Sequence, residues 1–188
     1  MNSSPCNLLI GISGSIAVLS LPTYLVALKK VFANCRVILS PTASEFIPTN
    51  TFSLICPESY CHHLQSTGSY VSHVELGSWA DIFIILPASA NTLACAAQGI
   101  GGNLLQTTIL AHPNPCLFFP NMNKAMWKQP AVQRNVKQLR EDGHRVFEPV
   151  EEEAYEHASG TIKKNYVLPC IEQVIMFITN EIEQRKQK

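Results

Sequence analysis

Charge is scarce in this chain. Asp, Glu, Lys and Arg make up 15% of the 188 residues, against about 25% in an average soluble protein. Lys+Arg and Asp+Glu balance at 14 each, so there is no basic field of the kind that grips nucleic acid. No charged residue precedes Lys29. A secretory leader would need a basic start there, and a membrane span would have to carry Gly11, Gly14 and Pro22 with serines between them. A buried strand, a tight turn and a helix explain that stretch better, so neither nucleic acid nor membrane is expected as a partner. Cys-x-x-Cys is also missing. The seven cysteines, odd in number and set in apolar runs, predict reduced, buried thiols and a cytoplasmic protein. Cys56, Cys61, His62 and His63 lack a second ligand pair elsewhere, which argues against zinc. No hydrolytic triad and no carboxylate pair can be drawn.

Apolar side chains are abundant instead, at 46%. One domain over residues 1–188 is expected, with apolar surface in excess of what a monomer hides, which points to self-association. Strands are predicted at Asn7 to Ile12, Arg36 to Leu39, Ile82 to Leu86, Leu117 to Phe119 and Arg145 to Phe147. Helices are predicted from the first turn to about Ala33, with Pro22 kinking it or marking a late start, then near Ala43 to Ile47, Ala88 to Gly99, Asn103 to Leu110, Ala131 to Glu141 and Cys170 to Gln184. Val71 to Leu76 reads as a short strand or a loop. Residues 48–70 read as irregular, and Glu151 to Asn165 as a mobile polar segment. Strands alternating with helices make an α/β protein, a single-domain doubly wound parallel sheet of the Rossmann or flavodoxin type.

Ligands of such sheets bind at the carboxyl ends of the strands. Two segments stand there: Pro87-Ala88-Ser89-Ala90-Asn91-Thr92 and Pro120-Asn121-Met122-Asn123. Small and amide side chains let a planar ligand approach and offer hydrogen bonds without charge. The turn Gly11-Ile12-Ser13-Gly14-Ser15 leads into a helix N-terminus that can hold a phosphate, with Ser40 and Thr42 offering further hydroxyls. No P-loop follows and the dinucleotide fingerprint is incomplete, so a plain strand–helix junction would read the same way. His73, beside the strand that ends in the Pro87 motif, suits a general base or a structural imidazole. Asn123 suits a carboxylate donor or a turn. His62, His63, His112, His144 and His157 read as surface or packing residues.

In this order and spacing, the Gly11 to Ser15 turn, Ser40-Pro41-Thr42, His73, the Pro87 to Thr92 motif, Gly99 with Asn103-Leu104-Leu105, and Pro120 to Asn123 followed by Met126-Trp127 resemble the homo-oligomeric flavin-containing cysteine decarboxylases. Arg134-Asn135, Asp142-Gly143-His144, Glu148-Pro149-Val150 and Ala158-Ser159-Gly160-Thr161 are most similar to the lanthipeptide branch, the epidermin and mersacidin type. The resemblance implies oxidative decarboxylation of the C-terminal cysteine of a precursor peptide to an aminoenethiol. It implies FMN as cofactor, with FAD admitted by so open a turn, and trimers or dodecamers with flavin sites between subunits.

By the same resemblance His73 and Asn123 are catalytic, and Asn123, Met122 and Ser159 meet the peptide. Gly11, Ser13, Gly14, Ser15, Ser40, Thr42, Ala88, Ser89, Ala90 and Asn91 hold the flavin, while residues 151–165 form a lid. Two alternatives accompany this reading. Phosphopantothenoylcysteine decarboxylases carry a cysteine in the lid segment, and Glu151 to Asn165 has none. A non-catalytic flavin-binding regulator would be expected to lose His73 or Asn123. Flavin prenyltransferases share the fold but not the Pro120 to Asn123 motif.

Overall fold

The structure, a computed structural model, describes residues 4–62, 70–156 and 160–187. In chain order it comprises β1 (Ser4–Ile12), a 3-10 turn (Ile16–Ser20), α1 (Leu21–Val31), β2 (Phe32–Leu39), α2 (Pro41–Phe46), α3 (Thr49–Ser53), β3 (Ser59–Tyr60) and α4 (His73–Trp79). Then follow β4 (Ile82–Ala88), α5 (Ala90–Ala97), α6 (Leu104–Ala111), β5 (Leu117–Pro120), α7 (Lys124–Trp127), α8 (Pro130–Glu141), β6 (Arg145–Val146), β7 (Val150–Glu156), β8 (Thr161–Val167) and α9 (Ile171–Lys186). Six strands form one parallel sheet in the order β3-β2-β1-β4-β5-β6. This is the doubly wound arrangement expected from the alternation of strands and helices. No helix among the described residues is long and apolar enough to cross a membrane.

The central strands are apolar on both faces because helices cover both faces. Leu8, Ile10, Ile12, Ile82, Ile84, Leu86, Leu117 and Phe119 point into one layer with α1 and α9. Their neighbours Leu9, Phe83, Ile85 and Phe118 point into the other, with α4, α5, α6 and α8. The alternation along each strand is the period-two pleat. Pro22 falls in the first turn of α1, after the 3-10 turn, where its fixed φ costs nothing and its missing N–H would have had no partner. The late start therefore replaces a kink.

Besides the short α3 and the edge strand β3 within residues 48–70, a stretch expected to be irregular, three expectations change. Val71 to Leu76 is not a strand: the helix α4 begins at His73, capped by the Ser72 hydroxyl, which accepts from Val74 N at 3.1 Å. Gly77 and Ser78 are weak helix formers, so local propensity signals little helix here. Packing supplies it: a Cβ at Gly77 would lie 3.1 Å from the carbonyl carbon of Ala111, and His112 Nδ1 donates to Gly77 O at 2.9 Å. Second, α1 stops at Val31 and β2 starts at Phe32, four residues before Arg36, because β2 continues its ladder down to Phe32 opposite Ser4. Third, the polar segment after Pro149 is an antiparallel hairpin, β7 with β8, pairing Val150 with Val167 through to Glu156 with Thr161. Glu153 stands opposite Lys164, an opposite-charge pair, and the acidic and basic residues of both strands leave no apolar alternation to mark them.

His112 and His144 are packing residues. Each lies edge-on to a phenylalanine, Phe83 and Phe118 respectively, and His144 Nδ1 accepts from Cys116 N at 3.0 Å. Burial holds both imidazoles below their ordinary pKa. A histidine kept neutral in the fold leaves protonation to the unfolded chain, so its stabilisation is complete above about pH 6.5 and fades as pH falls below it. Urea midpoints should therefore drop between pH 7.5 and 5.5, and equal midpoints would contradict this reading. The Gly77→Ala variant should lose about 1–2 kcal/mol despite its better helix propensity, because rigid backbone rather than a mobile side chain opposes the new methyl. A thermal melt at or above the wild-type temperature would show that α4 can back away.

Candidate active site

The strand order reverses direction between β1 and β4, and the loops after these strands open a crevice. A single hydroxyl holds its walls together. Ser13, fully buried, donates from Oγ to Pro87 O at 2.8 Å and accepts from Ser89 N at 2.7 Å, while its own N–H donates to Pro87 O at 3.2 Å. The neighbouring loop is tied in by Ser40 N, which donates to Ile12 O at 2.8 Å.

Above this junction lies a cavity of about 360 Å³ lined by Gly14, Ser40, Pro41, Thr42, Ser89, Ala90, Asn91, Thr92, Asn103, Gln106 and Met126. No lysine, arginine, aspartate or glutamate is among these residues. Its polarity comes from helix starts. Ser40 caps α2 by accepting from Ala43 N at 3.2 Å, Ser89 caps α5 by accepting from Thr92 N at 3.3 Å, and Asn103 caps α6 by accepting from Gln106 N at 3.0 Å. The positive ends of α5 and α6, eight residues each, thus face one space, and backbone N–H groups with hydroxyls suit an anionic phosphate. Gly14 keeps the approach open: a Cβ there would lie 2.6 Å from Thr42 Cγ2. The residues present fit the phosphate end of a flavin nucleotide.

Six predicted positions therefore meet in one cavity: Gly14, Ser40, Thr42, Ser89, Ala90 and Asn91. Others build it from behind. Gly11 lies within β1, where a Cβ would strike Leu105 Cδ1 at 2.5 Å, so its bareness serves helix packing. Ala88 is buried in β4, and Met122 is in the core beside Trp127; Met126 lines the cavity in its place. The Ser15 hydroxyl donates to Asn121 Oδ1. Ser159 lies outside the described residues, as do His63 and His157. Sequence reasoning overlooked Gln106, whose Oε1 accepts from Gly102 N at 2.8 Å; the Gly101-Gly102-Asn103 cap was its only signal.

Neither His73 nor Asn123 is among the described residues lining that cavity, yet both sit at the carboxyl end of the sheet. His73 opens α4, whose far end feeds β4, and its Nδ1 is buried. Asn123 follows β5 and caps α7, its Oδ1 accepting from Met126 N at 2.8 Å. The side chain is exposed, which leaves the Nδ2 hydrogens facing outward as neutral donors. Beside it, Lys124 pairs with Glu151 of the hairpin; the contact holds the ammonium pKa up and the carboxyl pKa down.

Comparison with known proteins agrees with this geometry. The Flavoprotein family model matches residues 1–182. Mersacidin decarboxylase of Bacillus sp. (strain HIL-Y85/54728) is 46% identical over 178 residues, covering 95% of this chain and 91% of its own length. A solved structure of EpiD complexed with the substrate peptide DSYTC superposes with a TM-score of 0.86 at 32% identity, covering 92% of this chain and 98% of that one. The FMN-dependent cysteine decarboxylase SpaF superposes with a TM-score of 0.73 at 36% identity, over 84% of this chain and 89% of that one. A family model covering nearly the whole length and relatives this similar show that the chain belongs to the Flavoprotein family.

Proposed function

We propose that this protein oxidatively decarboxylates the C-terminal cysteine of a ribosomally made precursor peptide, with FMN as electron acceptor, in lanthipeptide-type biosynthesis. Near-full-length similarity to mersacidin decarboxylase carries the reading, and the EpiD structure with a peptide ending in cysteine supports the substrate class. The hairpin supports the oxidative outcome. Residues 150–167 hold no cysteine, and the nearest downstream thiol, Cys170, caps α9.

Bound FMN supplies a two-electron acceptor. Gly14, Ser40, Thr42 and Ser89 would hold its phosphate end through hydroxyls and backbone N–H groups, with Ala90 and Asn91 lining the same cavity. His73, through Nε2, takes the proton of the substrate thiol, which must become thiolate to give up electrons readily. Oxidation leaves a thioaldehyde on the substrate; carbon dioxide then departs, its bonding electrons move onto sulfur, and the product is the aminoenethiol. Asn123 donates from Nδ2 to the carboxylate. A lysine there would stabilise the ground-state charge and oppose its loss, so a neutral donor favours the transition state.

One protomer does not bring His73 and Asn123 onto the same cavity. This supports flavin sites shared between subunits of a trimer or dodecamer. Exposed Ile16, Leu19 and Val26 near the first turn offer apolar surface for such contacts. The hairpin acts as the lid over the peptide. The buried thiols of Cys35, Cys56 and Cys116 agree with work in the reducing cytoplasm.

Incubating the flavin-loaded protein with a short peptide ending in cysteine should give a product lighter by about 46 Da, carbon dioxide plus two hydrogens. Phosphopantothenoylcysteine should stay unchanged; a loss of about 44 Da from it instead would assign the chain to coenzyme A synthesis. His73→Asn should keep its flavin and lose about a hundredfold or more in kcat, and full turnover would remove His73 from the mechanism. Asn123→Asp keeps the α7 cap but turns donor into anion. Its kcat/KM should fall by about tenfold or more, and ordinary kinetics would end the carboxylate assignment.

A further inference from the structure

Asn121 has no role in the chemistry above, yet its amide joins two parts of the site that are far apart in sequence. Its Oδ1 accepts the Ser15 hydroxyl of the turn after β1. Its Nδ2 donates to Tyr166 O in β8 at 3.3 Å, and its backbone N–H donates to Ala88 O at the end of β4 at 3.0 Å. Contacts beside it hold the same hairpin root: Trp127 meets the Tyr166 ring at 6.0 Å between centroids, and Lys124 pairs with Glu151. Just beyond the hairpin, Tyr24 donates its hydroxyl to Pro169 O at 2.8 Å. Between turn and hairpin lies a second cavity of about 320 Å³, bordered by Ile16, Leu19, Tyr24, Asn121, Val167 and Leu168.

The amide carries a donor and an acceptor on one planar group, so it can bridge the Ser15 hydroxyl and the Tyr166 carbonyl at once. Alanine offers neither, and aspartate can only accept. While Ser15 donates to Asn121, its one hydroxyl proton is unavailable to a phosphate oxygen. The residue thus serves the register between turn and hairpin, and the backbone N–H groups of the turn are left to the anion. We infer that Asn121 is a positioning residue: it sets the hairpin β7–β8 against the flavin turn and so fixes where the peptide under the hairpin meets the redox site. This deepens the proposed decarboxylase reading and rests on it for its kinetic part only.

The test is Asn121→Asp, equal in size, in the FMN-loaded protein. Aspartate still accepts from Ser15, but it has no N–H for Tyr166 O and sets a negative charge against that carbonyl. FMN content should match wild type. Amide exchange across Thr161–Val167 should quicken by about five- to tenfold while β4 stays protected, which is the size expected for losing one hydrogen bond. KM for the cysteine peptide should rise by about the same factor with kcat within about twofold. Wild-type exchange in β8 would overturn the inference, and so would quickened exchange throughout the sheet with loss of FMN, because Asn121 would then support the fold at large. Quickened β8 exchange in a protein whose wild type leaves every cysteine peptide unchanged would keep the positioning role and sink the decarboxylase reading instead.

Discussion

The buried hydroxyl of Ser13 holds the site together. It sits where the sheet reverses direction, giving its proton to Pro87 O and receiving the N–H of Ser89. Two strand ends, one followed by the phosphate turn and the other by the start of α5, are thereby set at a fixed separation. A buried hydroxyl is tolerated only when satisfied, and this one is satisfied in both directions. The cavity walls inherit their position from that junction, Gly14 on one side and Ser89 and Ala90 on the other, and Asn121 outside the cavity is tied to the same strand end through Ala88 O.

The cavity is polar without ionised side chains. Caps on three helices orient backbone N–H groups toward one space, and cap residues are small enough to leave that space open. Low charge in the sequence and neutrality in the site are one design. In the proposed reaction a phosphate held by dipoles would need no lysine, and a carboxylate meant to leave would be better met by the neutral amide of Asn123 than by a cation. The hairpin and its root are charged instead: Glu151 meets Lys124, and Glu153 stands opposite Lys164.

The central strands were legible because they are apolar on both faces and run into the small, polar Pro87 and Pro120 segments. The phosphate turn, the Ser40 and Ser89 caps, and the resemblance to cysteine decarboxylases followed from residue types and their order alone. The hairpin was not legible. Its strands carry Glu and Lys where a buried strand carries valine, so no apolar alternation marked it. The helix α4 was hidden for the opposite reason, since Gly77 weakens local propensity in order to let Ala111 and His112 come close.

By itself the sequence determined the doubly wound class, the end of the sheet where chemistry happens, and the residue types that suit a flavin and a departing carboxylate. Tertiary structure decided the division of labour among them. It turned Ser13 inward as a brace, placed Gly11 under Leu105 and Met122 in the core, and gave Ser15 to Asn121. The reason is geometric: a motif names neighbours along the chain, while a hydroxyl's partner is chosen by the approach of strands that lie more than seventy residues apart.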